Sequence, residues 1–323
     1  MEKRKLGNSD LHITRVGLGA WAIGGSWRWG WGAQDDGDSV GAIRKAIELG
    51  VNWIDTAAVY GLGHSEEIVG AALKDMPTCD KPYIFTKCGL CWDDDKDNKS
   101  REAFGCLKAE SVRKEAEASL KRLGVEAIDL YQIHWPNPNA DIEEAWGEMV
   151  KLKKEGKVRW IGVSNHSVSQ MERLSKIAPI TSLQPPYNLI NRSIEPDILP
   201  YCRRNDMGVI VYSPMASGLL TGKMTRERIA QMPDDDWRKK DYNYTGAKLT
   251  ENLKFVETLA ELAKKKDVPT AQIAIAWTLR HHAVTAAIVG MRKPSQAEKT
   301  IGAANLVLTD EDVAEIEQFK LSE

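Results

Sequence analysis

Asp55, Tyr60, Lys87 and His134 are of types that suit proton delivery to a carbonyl oxygen. A tyrosine left to itself titrates near pH ~10, too high for easy proton transfer at neutrality. A cationic lysine within hydrogen-bond reach stabilises the phenolate and lowers that value. A carboxylate beside the lysine holds the ammonium in place and keeps it charged. A histidine across the mouth positions the carbonyl oxygen or relays a proton. Tyr60 is then the acid, Lys87 its tuner, Asp55 the anchor and His134 the orienter. The set contains no nucleophile, so a hydride must come from a cofactor. Singly, each has a plainer explanation: a strand-end Asp caps a turn, a Tyr in a Gly-flanked loop packs, a Lys after a strand is solvated, and a lone His is structural.

Their positions weaken those separate explanations. Asp55 closes the run VNWID, Tyr60 follows in DTAAVYG, Lys87 closes YIFTK and His134 closes IDLYQIH. Short apolar runs of this kind occur at residues 14–18, 51–54, 83–86, 128–133, 160–163, 181–184, 209–212 and 286–289. Helical periodicity fills the gaps at 40–49, 65–73, 111–123, 142–154, 168–177, 195–204, 249–265 and 271–280, with two further stretches at 294–303 and 311–319. Gly50, Gly124 and Gly156 follow helices, where a left-handed residue ends them. Strands alternating with helices in this way predict an α/β fold, a (β/α)8 TIM barrel, with a doubly wound sheet as the competitor. In either, the four residues share the C-terminal end of consecutive strands. Residues 3–14, with a turn-like Gly-Asn-Ser-Asp, read as an N-terminal β-hairpin before the first barrel strand, and extra C-terminal helices close the chain. No interdomain linker or repeat interrupts residues 1–323, which read as one domain. The longest irregular stretch, 224–248, reads as a lid or binding element.

Composition narrows the class. The 44 basic and 46 acidic side chains leave a net charge of -2, which favours neither nucleic acid nor an anionic membrane as partner. No segment has the length or apolar character of a signal peptide or membrane span. Five cysteines, an odd number, suit a reducing cytoplasm better than a disulfide framework. A cytoplasmic protein with a small-molecule partner is expected, with oligomeric state open.

The segments from Asp55 to Tyr60, TKCG around Lys87, QIHWP, GVSN, YSP and IVGMRKP resemble the aldo-keto reductase superfamily. More narrowly, they resemble its bacterial NADP-dependent branch, which includes general-stress and inositol-cluster reductases. The likeness runs from KLGNSDLHITRVGLG to the last helix. It implies a (β/α)8 barrel with an extended nicotinamide cofactor across the strand C-termini and no Rossmann domain. It also implies NADPH-dependent reduction of an aldehyde or ketone, with Asp55, Tyr60, Lys87 and His134 as the catalytic tetrad. By the same likeness, Ser164, Asn165 and Gln184 hold the nicotinamide carboxamide and Tyr212 stacks on the ring. Ser213, Pro214 and Met215 through Ser217, Gly218 and Leu219, with Lys223, lie along the pyrophosphate. Gly19, Trp21, Asp55 and the segment holding Gly290, Met291, Arg292 and Gln296 complete the cofactor set. Arg292 is the candidate for a 2′-phosphate, which a guanidinium pairs bidentately, so NADP(H) is expected over NAD(H). Lys299 and Thr300 stand where the family often has a Glu-Asn pair.

Other motifs carry less. GLGAWA at residues 17–22 mimics a dinucleotide fingerprint, but no helix opens at its third position. Cys88-Gly-Leu-Cys91 lacks the helix of a redox pair and the further ligands of a zinc site, so no metal is expected. The Asp93-x-Asp95-x-Asp97 run lacks the glycine and terminal glutamate of an EF-hand. The sequons at Asn98, Asn165 and Asn191 are without meaning in a cytosolic chain. Trp21, Trp27, Trp29 and Trp31 crowd the first βα loop, with Trp92 and Trp135 in later ones. They either pack on one another under the lid, or line a pocket with Tyr60 and His134 for a sugar-like or other polar carbonyl. For such pocket contacts Trp21, Trp29, Trp31, Trp92 and Trp135 are the candidates. Two competitors remain: a catalytically weak NADPH-binding regulatory subunit of the same fold, and another barrel chemistry that would demand a metal or carboxylate pair.

Overall fold

The apolar runs become parallel strands with helices between them. The computed structural model describes residues 1–93, 102–234 and 236–319, so Asp95, Asp97 and Asn98 lie outside the described residues. A hairpin of β1 (Lys3–Lys5) and β2 (His12–Thr14) leads into β3 (Val16–Gly19), β4 (Trp53–Asp55) and β5 (Tyr83–Cys88). A second small hairpin follows, β6 (Leu90–Cys91) with β7 (Phe104–Gly105), which no periodicity announces in two-residue strands. Then come β8 (Ile128–Ile133), β9 (Val158–Ser164), β10 (Ser182–Gln184), β11 (Gly208–Val211) and β12 (Ala286–Gly290). The order β3-β4-β5-β8-β9-β10-β11-β12 closes on itself as β12 pairs with β3, giving a closed eight-stranded parallel barrel.

Around it run α1 (Asp36–Glu48), α2 (His64–Leu73), α3 (Ala109–Leu123), α4 (Ile142–Lys154), α5 (Val168–Ser175) and α6 (Ile198–Arg204). The connection from β11 to β12 holds α7 (Arg226–Ala230), α8 (Gly246–Lys265) and α9 (Thr270–Arg280), and α10 (Pro294–Thr300) and α11 (Asp310–Gln318) end the chain. In α4, Ile142, Ala145, Trp146, Met149 and Leu152 make one buried stripe, with acids in the first turn and lysines in the last to suit the helix dipole. Lys265 and Lys266 tie α8 to α11 through Glu315 and Asp312. Residues 224–234 and 236–248 are less irregular than their composition suggests. Thr225 caps the short α7 by accepting from Arg228 N, and 3-10 turns form at Trp237–Lys240 and Tyr242–Tyr244.

Period-two alternation decides what faces inward. Trp53, Phe85, Leu130, Ile210 and Ile288 point into the barrel and pack with Leu6, Leu11 and Ile13 of the hairpin, which plugs its N-terminal end. Ile54, Ile84, Tyr131, Val209 and Val289 point outward into the core shared with the helices. Trp53 lies so close over Gly17 that a Cβ there would come within 2.1 Å of its ring, and its indole N–H donates to Thr14 O at 2.8 Å. Two residues further along the same inward rows stand Asp55, Lys87, Gln132 and Tyr212. Apolar residues fill the bottom of the barrel and polar ones its top.

The turn leaving β9 has its own lock. Asn165 takes φ 62°, and the buried His166 ring donates Nδ1–H to Ser164 O at 2.8 Å. Burial pushes the His166 pKa down to about 4. An unfolded chain takes up that proton near pH ~6.5, so stability is complete above this value and falls as pH drops from 6.5 towards 4. The loss from this group reaches roughly 3 kcal/mol. Thermal melts between pH 7 and 4 should show a shallower fall for His166→Asn than for wild type; equal slopes would contradict this account.

Candidate active site

Four inward positions and one turn converge at the top of the barrel. Lys87 Nζ donates to Asp55 Oδ2 at 2.7 Å, to Thr56 O at 2.8 Å and to the Tyr60 phenol oxygen at 3.2 Å. The other carboxylate oxygen of Asp55 accepts from Gln184 Nε2 at 2.8 Å. The His134 ring stands edge-on to Tyr60, centroids 5.7 Å apart. Lys87, one residue short of the end of β5 rather than at it, is almost fully buried.

Tyr60 is placed by a packed turn. Gly61 approaches Gly24 so closely that a Cβ on it would lie 2.1 Å from Gly24 O, which brings the first βα loop against the tyrosine. Beneath it, the fully buried Glu66 of α2 accepts from Thr86 Oγ1 at 2.6 Å and from Arg122 Nε at 2.7 Å. That carboxylate ties the Tyr60 turn to the residue preceding Lys87.

The electrostatics differ from the sequence expectation at one point. Burial, and after it the Asp55 charge, hold the Tyr60 phenol well above the ordinary tyrosine value. Burial outweighs the Lys87 ammonium, which donates to the phenol at 3.2 Å and to Asp55 at 2.7 Å. Burial pulls Asp55 up and Lys87 down, and their contact opposes both shifts. Burial, then the Lys87 charge, push His134 well below its usual pKa, so its imidazole is neutral at pH 7.

The tryptophans both pack together and face the cleft. Trp21 meets Trp31 edge-on at 5.7 Å and lies 6.5 Å from the Tyr60 ring. Trp27 lies 6.4 Å from Tyr60, a contact that spacing alone did not single out. Trp237 stacks on Trp21 at 6.2 Å, and the Arg238 guanidinium sits 4.2 Å over the Trp31 ring. Trp29 and Trp135 stay exposed, whereas Trp92 is half-buried. The indole N–H groups of Trp27 and Trp31 are buried without a partner among the described residues.

The residues expected at a cofactor fall into three groups. Ser164, Asn165 and Tyr212 gather beside His134: Asn165 Nδ2 donates to His134 O at 3.0 Å, and the Tyr212 phenol donates to Asn165 Oδ1 at 2.9 Å. Gln184 turns its amide to Asp55 instead. Ser213, Ala216, Ser217 and Gly218 all take positive φ, a run that curls the backbone after β11 into a concave loop beside Pro214 and Met215. Lys223 is exposed beyond it. Gly19 and Gly290 are paired neighbours on β3 and β12. Arg292 donates through Nε to Gln34 Oε1 at 2.5 Å and through Nη2 to Ala33 O at 2.7 Å, and Gln296 Oε1 accepts from its backbone N–H. Leu219 and Met291 depart from expectation: both side chains are fully buried in apolar clusters, leaving only their backbone for a ligand. The concave loop, the arginine and the indole donors that lack a partner among the described residues fit a dinucleotide rich in acceptor oxygens.

Residues 15–320 match the model of the Aldo/keto reductase family. The chain is 38% identical over 317 residues to the aldo-keto reductase YhdN of Bacillus subtilis (strain 168), spanning 98% of this chain and 92% of that protein. It is 34% identical over 321 residues to an NADH-specific methylglyoxal reductase of Escherichia coli (strain K12), spanning 97% and 96% respectively. The solved structure of a glycerol dehydrogenase from Gluconobacter oxydans superposes with a TM-score of 0.89 at 40% identity, covering 98% of this chain and 94% of that one. This chain therefore belongs to the aldo-keto reductase family, oxidoreductases that act on small-molecule carbonyls with a nicotinamide cofactor.

Proposed function

We propose that the protein reduces a small aldehyde or ketone bearing a second oxygen to the alcohol, with NADPH as reductant and Tyr60 as proton donor. The observation that carries this reading is the Lys87 ammonium, which touches Asp55 and Tyr60 at once. When bound, the nicotinamide supplies a hydride to the carbonyl carbon. Tyr60, kept protonated by burial, donates to the carbonyl oxygen. Lys87 then faces the phenolate as it forms. The neutral His134 offers an N–H to the same oxygen and orients it. Tyr60→Phe and Lys87→Met should each lower kcat by about 10²–10⁴, with dinucleotide affinity held within a few fold in titration calorimetry. Most of the activity surviving in Tyr60→Phe would sink the mechanism. Wild-type protein that binds the dinucleotide without turning over any aldehyde would favour the regulatory alternative.

Trp27 supports the substrate class, since a buried indole N–H without a partner among the described residues favours a ligand oxygen beside Tyr60. Methylglyoxal and glycerol, named with two relatives, each carry a second oxygen next to the reacting carbon. Trp27→Phe keeps the ring and removes the donor. It should raise KM for a 2-hydroxyaldehyde about five- to tenfold and leave KM for propanal alone; an equal change for both would remove the argument.

NADPH over NADH rests on Arg292, because the Escherichia coli relative is NADH-specific by name. A guanidinium held by Gln34 and Ala33 is pre-organised for a 2′-phosphate. Arg292→Ala should weaken NADP⁺ binding about 10- to 100-fold and leave NAD⁺ unchanged. No selective loss would return the choice to NADH.

A further inference from the structure

Gln132 on β8 is the strand neighbour of Lys87 on β5, in the same inward layer, and it is fully buried. Its neighbours fix which end of its amide points where. The Asp55 carboxylate accepts, so the Gln184 nitrogen that meets it at 2.8 Å must donate. The same nitrogen reaches Gln132 Oε1 at 3.4 Å, so the oxygen of Gln132 is the atom that faces Gln184. Gln132 Nε2 is thereby left buried with no hydrogen-bond partner among the described residues.

Packing does not call for an amide in that layer. A methionine would fill much the same volume without stranding a buried donor, which is destabilising. The spare donor lies beside spare acceptor capacity. Lys87 and Gln184 each give Asp55 one hydrogen bond, whereas a carboxylate has about four accepting sites. Burial raises the Asp55 pKa, and Lys87, Gln184 and then Gln132 oppose that rise, so the Gln132 amide already acts on the carboxylate. Lys87 has nothing in reserve, because its ammonium already serves Asp55, Thr56 O and Tyr60.

We infer that Gln132 is a positioning residue that keeps a donor in reserve for Asp55, engaged as Lys87 turns to the Tyr60 phenolate. The inference rests on the proposed reduction. As the Tyr60 proton passes to the carbonyl oxygen, the charge left on the phenol draws the ammonium away from its 2.7 Å contact with Asp55. The carboxylate stays buried and ionised, and the Gln132 N–H closes on it to replace what the ammonium withdraws. An unused donor in the resting protein is thus satisfied in the transition state, where it raises kcat.

Gln132→Met keeps the bulk of the side chain and removes the amide. It should melt at or above the wild-type temperature, since a stranded donor has gone. It should nevertheless lower kcat about tenfold, the loss of one hydrogen bond to a charged group, and leave KM and NADP⁺ affinity unchanged. The acid limb of the kcat profile should move up by about one pH unit. Gln132 helps to keep Asp55 ionised, so without it the carboxyl takes up its proton at higher pH and activity is lost sooner on acidification. Lys87 and Tyr60 are the titratable groups that face Asp55, with Glu66 and His134 acting on Lys87, and the substitution alters none of them. An unchanged kcat and acid limb would overturn the inference. So would a melting temperature that falls along with kcat, the mark of a purely structural role. Gln132→Asn, whose shorter amide is withdrawn from Asp55, carries the same kinetic outcomes if the methionine variant does not fold. Wild-type protein that turns over no aldehyde would overturn the proposed function, and this inference with it.

Discussion

The buried contact between Asp55 and Lys87 is the constraint around which the top of the barrel is built. Both side chains are nearly out of water, and an unpaired charge at that depth costs about 3–5 kcal/mol. The pair therefore tolerates little displacement of β4 against β5. It also needs further partners, because each carboxylate oxygen and each ammonium hydrogen must be satisfied. Gln184 supplies one from β10, a strand that does not adjoin β4 in the sheet. Only a closed barrel brings those strands to face one another across its interior. The fold and the ion pair thus depend on each other: closure makes the contacts available, and the polar contacts fix how the top layer packs.

A second buried carboxylate extends that dependence outward. Glu66 joins α2, Thr86 on β5 and Arg122 at the end of α3. The turn carrying Tyr60 lies between β4 and α2, so this brace sets its height relative to Lys87. Arg122 also packs its stem under Gly63, where a Cβ would meet it at 3.0 Å. Tyr60 is consequently held by its neighbours on three elements while its ring remains open to the cleft.

What the sequence discloses follows from range. Asp55, Lys87 and His134 sit at the ends of apolar runs, and the parity that puts Trp53 and Phe85 inside puts Asp55 and Lys87 inside as well. That information is local, and it is legible. The eight strands were readable for the same reason, with ends shifted by at most two residues. The contacts of Trp237 with Trp21 and of Arg238 with Trp31 join residues about 200 positions apart, in segments with no period at all. No pattern along the chain announces them. The depth of Met291 and Leu219 was equally hidden, since motif likeness marks a backbone position without saying which way its side chain turns. The Tyr60 pKa failed to follow from residue types because its largest cause is burial, with the Asp55 charge after it.

That burial bears on how the proposed site would work. A lysine fully available to the tyrosine would favour phenolate before any substrate arrived, and an ionised tyrosine has no proton to give. Burial, and after it the Asp55 charge, keep the resting phenol protonated. Once the proton leaves, negative charge appears 3.2 Å from Lys87, in a cleft where such charges are weakly screened. The attraction is then greater in the transition state than in the ground state, which is the condition for an interaction to raise kcat rather than merely tighten binding. Burial, with the Asp55 carboxylate after it, raises the pKa of the acid and so keeps it loaded. Its position beside the lysine makes Tyr60 a donor whose stabilisation grows as the proton departs.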